Sequence, residues 1–296
     1  MDRSIGPLTR PERAPDWIRQ KRIRLADLHD VKREMRGRGL HTVCEEARCP
    51  NRGECFSRGT ATFLLLGDTC TRACGFCDIA NGKPGAPDPF EPARVAEAAR
   101  AMRLRHVVVT SVARDDLPDG GAGQFAATIA ALRRLEPAPA VEVLTPDFRG
   151  RFGPLRVVVD ARPEVFNHNV ETVPRLYRRV RPGAELDRSL GVLAAVKILD
   201  PEITTKSGLM VGLGETVPEV LEVLERMRGA HVDIVTLGQY LRPSRENLPV
   251  HEYVAPAVFD DYRRAGEGMG FRHFFAGPFV RSSYRAEEAL SAASPA

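Results

Sequence analysis

From residue 61 onward the chain alternates two hydrophobic rhythms. Short apolar or β-branched runs predict buried strands over 63–66, 107–110, 141–144, 165–169, 203–211 and 234–237. Between them, apolar positions recur at the helical period and predict helices over 92–103, 122–135, 186–199 and 217–228. Strands alternating with helices imply a parallel sheet with helices outside it. Right-handed crossovers curl six such units into an α/β fold of the open (β/α)6, partial TIM-type barrel kind. The run 155–159, Leu-Arg-Val-Val-Val, is β-branched as a strand would be. It lies where a crossover is needed, however, and a helix is expected there. Ahead of this pattern the chain is basic and proline-bearing. Trp17-Ile18 and the segment 25–35 are expected as short elements on the barrel, and the Ala/Ser-rich tail 290–296 as a frayed end. The organisation expected is an N-terminal extension over 1–55, a barrel core over 56–272 and a C-terminal extension over 273–296.

Composition changes this picture little. Of 296 residues, 43% are hydrophobic and 28% charged, as in ordinary globular chains, so wholesale disorder is excluded. No apolar run nears the ~18 residues of a spanning helix, so no membrane association is expected. Asp2, Glu12, Asp16, Asp27 and Asp30 argue against a transit peptide, and no apolar stretch resembles a secretory signal. A cytoplasmic protein is expected. The balance of 43 basic against 39 acidic residues, a net of +4, is too mild for a nucleic-acid binder. It leaves room for a locally basic face that meets an acidic partner.

The cysteines carry more. All six fall between positions 44 and 77, in two triplets: Cys44, Cys49, Cys55 (C-x4-C-x5-C) and Cys70, Cys74, Cys77 (C-x3-C-x2-C). Three disulfides would suit the even count, but not a reducing compartment. Structural zinc favours four ligands and paired C-x2-C steps, and only one such step exists. A [4Fe–4S] cluster has four irons, and three closely spaced thiolates hold three of them while one iron stays open. The spacing of Cys70, Cys74 and Cys77 also fits one face of a helix. Gly75 and the apolar run just before, which ends at Gly67-Asp68, favour a loop after a strand instead. Pro50 and Gly53 similarly break a helix through the first triplet.

The string 70–77, Cys-Thr-Arg-Ala-Cys-Gly-Phe-Cys, resembles the cluster loop of radical S-adenosylmethionine enzymes, including the aromatic residue before the third cysteine. The longer string 42–55 and the C-terminal Arg281-Ser282-Ser283-Tyr284 resemble the lipoyl synthase family within that superfamily. The match runs from about residue 35 to residue 286. The family often has Arg or Lys where Ala73 stands, Pro where Gly75 stands and His where Arg285 stands; none of these is a ligand.

The resemblance implies two [4Fe–4S] clusters. Cys70, Cys74 and Cys77 would hold the one that binds S-adenosylmethionine, whose reductive cleavage yields a 5′-deoxyadenosyl radical. Cys44, Cys49 and Cys55, with Ser283 as fourth ligand, would hold an auxiliary cluster that is consumed as the sulfur source. Serine oxygen is a harder, weaker ligand for such iron than thiolate, and so can leave. The implied activity is insertion of two sulfurs at C6 and C8 of a protein-bound octanoyl group. Octanoylated lipoyl carrier domains would be the partners, namely 2-oxoacid dehydrogenase acyltransferase subunits and the glycine-cleavage carrier protein. A low-potential donor such as ferredoxin or flavodoxin would supply electrons.

Several other residues are candidates for the adenosyl site. Ser111 ends a strand where hydroxyls can reach a ligand. Alternation puts Asn167, Asn169 and Glu171 on one face; Asn169 and Glu171 suit ribose hydroxyls, while His168 faces outward as a structural residue. The glycine-rich stretch through Gly208, Gly212 and Gly214 lacks the dinucleotide fingerprint. The resemblance favours cofactor contact at Gly214 and Glu215, while Thr216 is also a helix cap. Asp116 and Asp119 are expected to cap local amides, and Lys197 and Lys206 to lie on the surface. Two alternatives remain at this point: another sulfur-inserting enzyme of the superfamily, or a non-catalytic, zinc-stabilised interaction protein.

Overall fold

In the computed structural model, residues 14–19, 37–43, 51, 55, 60–283 and 286 are described. The expectations for segment 25–35, Cys44, Cys49, Tyr284, Arg285 and the tail 290–296 concern positions outside those residues. The runs of Val, Ile, Thr and Phe become strands because branched side chains pack well on a pleated surface. In chain order these are β1 (His41–Thr42), β2 (Thr60–Leu65), β3 (Thr69–Cys70), β4 (Ala80–Asn81), β5 (His106–Ser111) and β6 (Ala140–Leu144). They continue with β7 (Val165–Asn167), β8 (Thr204–Val211), β9 (Ile234–Gln239) and β10 (His273–Gly277).

One sheet carries eight of them in the order β1-β2-β5-β6-β7-β8-β9-β10, and β3 pairs with β4 apart from it. From β2 to β10 every pairing is parallel, and β1 runs antiparallel along the β2 edge. Helices make the six crossovers: Glu91–Ala101, Ala122–Arg133, Phe152–Asp160, Leu186–Leu199, Val217–Gly229 and Pro256–Gly268. This is the open (β/α)6 barrel, completed by a seventh parallel strand; its outer strands β1 and β10 are not paired with each other.

The run 155–159 is helical as expected, since the crossover demands it over local propensity. The differences from expectation lie elsewhere and have physical causes. The barrel does not stop at 272: β10 extends the sheet through Gly277, and its short Phe-Phe-Ala run is too brief to signal a strand. The N-terminal extension is not separate from the sheet either, because it supplies β1. Strand β7 ends at Asn167, two residues early, and Glu171 takes a left-handed φ of 68°. At the N-terminus, Trp17 sits edge-on to Tyr253, ring centroids 6.5 Å apart.

The two faces of the sheet differ. Val107, Val109, Val141, Val143 and Phe166 join one apolar core with Val95, Phe125, Leu132 and Val158 from the helices. Burial of each such side chain contributes about 1.5–3 kcal/mol, which holds the helical ring on the sheet. Alternate positions turn the other way. There Lys206 Nζ lies 3.0 and 3.1 Å from the two carboxylate oxygens of Glu142, and Asn167 Nδ2 donates to Glu142 Oε1 at 3.1 Å. Lys206 is thus not a surface residue but is 1% exposed inside the barrel. Lys197 is half-buried at the surface, paired at 2.6 Å with Asp233. The charge inside is tolerated because Glu142 meets a cation and an amide together.

Candidate active site

The chain leaves β2 through Leu66, which has a left-handed φ of 67° and whose amide is held by both oxygens of buried Glu91 at 3.1 Å. It then enters the loop carrying Cys70, Cys74 and Cys77. Helical packing of these cysteines does not occur; the loop lies over the ends of the strands. The amide of Thr71 donates to Ala113 O at 3.0 Å, and the amides of Arg72 and Ala113 point at Cys70 Sγ at 3.4 and 3.3 Å. Gly75 donates to Val180 O and accepts from Leu248 N, each at 2.9 Å, and Asn247 Nδ2 donates to Cys77 O at 2.7 Å.

Arg72 clamps the loop from inside. Its guanidinium binds Asp115 through two hydrogen bonds, of 2.7 and 2.9 Å, and Asp147 through one of 2.6 Å. Arg188 lies 3.2 Å from Asp147 as well. Planar, forked Arg–carboxylate pairing fixes orientation as well as distance. The pairing holds Asp147 well below the usual carboxylate range and raises Arg72.

The thiols are partly buried. Burial pushes the Cys74 thiol up to about 12 and the Cys77 thiol up to about 11, with the charges of Cys70 and Glu171 adding to both. Such thiols become thiolates only where a concentrated positive charge stabilises them, which iron supplies. Among the described residues, no three of His, Cys, Asp and Glu converge on one metal ion.

Beside the loop, the strand ends carry polar atoms that are buried without a partner: Ser111 Oγ, Asn167 Oδ1 and Asn169 Oδ1. Orphaned acceptors of this kind are costly unless a ligand satisfies them, and they fit the hydroxyls and amines of an adenosyl group. Asn169 Nδ2 donates to Glu171 Oε1 at 3.1 Å, and burial raises the Glu171 carboxyl while Arg181 opposes the rise. Asn167 reaches instead down to Glu142. His168 faces the helices as expected: Nδ1 donates to Thr145 O at 2.8 Å, and Nε2 takes the Ser189 hydroxyl at 3.0 Å. Burial lowers His168 to about 3, so it is neutral.

Glu215 turns back on its own loop, accepting from the amides of Gly212 and, at 3.0 Å, Leu213. The carbonyl of Gly214 accepts from Arg175 Nη2 at 2.8 Å. Thr216 opens the next helix in a capping box with Glu219. Asp119 caps as expected, accepting from Gly121 and Gly123 at 2.9 and 2.8 Å. Asp116 accepts from its own amide, but its main partner is Arg114, which takes both its oxygens at 2.9 and 2.8 Å.

The C-terminal motif lies across the same strand ends. A Cβ on Gly238 of β9 would meet Val280 O at 2.1 Å, so only glycine allows this close passage. Asn169 Nδ2 donates to Ser282 Oγ at 2.6 Å. From the first triplet's stretch, Asn51 Nδ2 donates to Phe279 O at 2.6 Å. Cys55 and Ser283 are both half-buried.

Residues 64–227 match the model of the radical SAM superfamily. Lipoyl synthase of Methylococcus capsulatus is 56% identical over 279 residues, 94% of this chain and 87% of that protein. The chain belongs to the lipoyl synthase family. Lipoyl synthase of Caldanaerobacter subterraneus subsp. tengcongensis is 55% identical over 281 residues, 95% of this chain and 98% of its own. The fold is similar to two solved structures. For a maturase of the [FeFe]-hydrogenase the TM-score is 0.58 at 13% identity, over 94% of this chain and 70% of that one. For methylornithine synthase it is 0.55 at 13%, over 89% and 88%. Membership of a radical S-adenosylmethionine enzyme family sets aside the non-catalytic zinc reading, and brings one [4Fe–4S] cluster and S-adenosylmethionine with it. Among the described residues, no helix is long and apolar enough to cross a membrane.

The sequence did not point to Arg72, Asp115, Asp147, Arg181 or Ser282 as site residues. One signal was available: Glu142 stands between Val141 and Val143 in a buried run, and a lone charge there calls for a partner.

Proposed function

We propose that this chain inserts two sulfur atoms at C6 and C8 of an octanoyl group amide-linked to a carrier-protein lysine, forming the lipoyl cofactor. One observation carries the finer assignment: Asn51, between Cys49 and Cys55, bonds to Phe279 just ahead of Arg281-Ser282-Ser283. That contact supports a second cluster site made from both ends of the chain, with Cys44, Cys49, Cys55 and Ser283 as ligands and the cluster as sulfur donor. It favours this family's chemistry over that of another sulfur-inserting enzyme of the superfamily.

When bound at Cys70, Cys74 and Cys77, the first cluster and S-adenosylmethionine supply a carbon-centred oxidant strong enough for unactivated C–H bonds. The chain's own residues do the rest. Arg72, Asp115 and Asp147 fix the loop. Asn169, Glu171 and Ser111 orient the adenosyl group, and Gly214 and Glu215 shape the turn at the rim. The segments at the two ends of the chain, before β2 and after β10, build the sulfur-donor site on the barrel. The buried interior keeps water and stray hydrogen donors from the reacting carbon.

The substrate arm belongs to an octanoylated carrier domain of a 2-oxoacid dehydrogenase or the glycine-cleavage system. Exposed Arg178 and Arg179 directly precede Val180, whose carbonyl holds Gly75 of the cysteine loop. They suit an acidic carrier, so association slows as salt rises; a salt-independent on-rate counts against docking there. A ferredoxin or flavodoxin supplies electrons, in the cytoplasm.

The test is anaerobic. The reconstituted chain is given S-adenosylmethionine, a strong reductant and an octanoylated carrier domain, and the carrier is weighed by mass spectrometry. A gain of two sulfurs with loss of two hydrogens is the expected result. Cleavage of S-adenosylmethionine with an unchanged carrier rejects the substrate while keeping the radical chemistry.

A further inference from the structure

The Asn169–Ser282 hydrogen bond joins residues far apart in the chain, at 2.6 Å, between two sites that the proposed function keeps separate. One partner belongs to the adenosyl site. The other is one peptide bond from Ser283. Resting on that functional reading, we infer that Ser282 is a positioning residue that couples occupancy of the adenosyl site to the placement of Ser283 in the sulfur-donor site.

The argument is geometric. Both amide hydrogens of Asn169 are engaged, one by Ser282 and one by Glu171 at 3.1 Å, while its carbonyl oxygen is buried without a partner. A carboxamide is planar, so its oxygen and nitrogen turn together. A ligand hydroxyl that donates to Asn169 Oδ1 therefore fixes the direction of the Nδ2 hydrogens. That fixes where the Ser282 oxygen must lie. The Ser282 segment has little room to escape: Val280 O is pressed against Gly238, and Phe279 O is held by Asn51 of the first triplet's stretch. The segment is thus pinned to the second site at one end and steered by Asn169 at the other.

Coupling of this kind is reciprocal. If the adenosyl ligand orders Ser283, then a filled sulfur-donor site tightens binding of the adenosyl ligand. In the reaction this makes the adenosyl site less occupied, by the same factor, when no sulfur donor is in place.

The experiment measures S-adenosylmethionine affinity by equilibrium binding to anaerobically reconstituted full-length protein. It compares the wild type with Cys55→Ala, which cannot assemble the second cluster. The expected wild-type affinity is tighter by about fivefold or more. In the Ser282→Ala background the ratio falls to about one, and Ser282→Thr, which keeps the hydroxyl, restores it. The Mössbauer signature of the second cluster shifts on adding S-adenosylmethionine in the wild type and not in Ser282→Ala. Iron content at the Cys70 cluster and the circular dichroism spectrum confirm that each variant is folded and loaded. Equal affinities for wild type and Cys55→Ala, or an unchanged ratio in Ser282→Ala, overturn the coupling. Asn169→Ala separates the two levels. If it binds S-adenosylmethionine as tightly as wild type, the adenosyl-site reading falls and the coupling with it. If it binds weakly while Ser282→Ala keeps the full ratio, only the coupling falls.

Discussion

Two polar layers lie inside the same barrel. In the deeper one, Lys206, Glu142 and the Asn167 amide group complete one another, with His106 Nε2 3.7 Å from Glu142. In the upper one, at the strand ends, Ser111 and Asn169 keep buried oxygens with no partner. The residue types are alike and both layers are withdrawn from water. What separates the Lys206–Glu142 group from the strand ends is that its carboxylate finds its partners within the chain, although His106 Nε2 beside it has none. Asn167 marks the boundary, because its Nδ2 belongs to the lower layer while its Oδ1 is left over for the upper.

Breaking the lower layer has the largest effect. Lys206→Ala leaves Glu142 charged, buried and without its cation, and is expected to cost about 3–5 kcal/mol in denaturant unfolding. Replacing both partners, Lys206→Met with Glu142→Leu, is expected to recover most of that loss. If the single and double variants are equally unstable, the layer is not a closed pair.

His168 tests the outer wall of the same layers. Its folded value is lowered to about 3 from an ordinary 6.5, because burial and Arg181 disfavour the cation. Between those two values the unfolded chain binds a proton that the folded chain refuses. Its contribution is therefore fully present above pH 6.5 and is lost as pH falls toward 3. Stability profiles of His168→Gln against wild type are expected to differ by about one proton in slope across that window; parallel profiles argue against a neutral buried histidine.

Arg72→Gln strips Asp147 and Asp115 of their shared cation. A stability loss of about 2 kcal/mol is expected, together with reduced iron uptake at the neighbouring cysteines. Arg72→Lys is expected to rescue this poorly, since a point charge cannot span both carboxylates. Full iron loading of Arg72→Gln would confine the clamp to a purely structural part.

The smallest stability effect is expected in the upper layer. Ser111→Ala removes an orphaned oxygen and should change unfolding by no more than about 0.5 kcal/mol in either direction. Affinity for S-adenosylmethionine should fall severalfold. A large stability loss with unchanged affinity would place Ser111 with the scaffold and erase the contrast.

Much of this contrast was hidden in the sequence. Continuous β-branched runs announce strands, and clustered cysteines announce iron, because both signals are local. The strand of β10 escaped notice because Phe274-Phe275-Ala276 is short and gains its meaning only from pairing with β9. Lys206 reads as a surface residue until β7 and β8 bring it beside Glu142, 64 positions away. Asn51–Phe279 and Asn169–Ser282 join residues from opposite ends of the chain or barrel, and no periodicity encodes such meetings. Asn169 and Glu171 stood out because two polar residues at alternate positions in an apolar setting demand an explanation. Their division of labour with Asn167 was not, since it depends on the depth at which each side chain lies.

Gly75 bears on how freely such enzymes exchange parts. Its amide donates to Val180 O, and an added Cβ would stand 2.8 Å from the Leu248 side chain and 3.0 Å from Arg179 O. A proline at this position would offer no such hydrogen and would bring a ring into that gap. A cysteine loop grafted with proline here would arrive without its matching backstop. The heritable module is the loop together with the two segments behind it, and chimeras cut at the cysteines alone divide it in the wrong place.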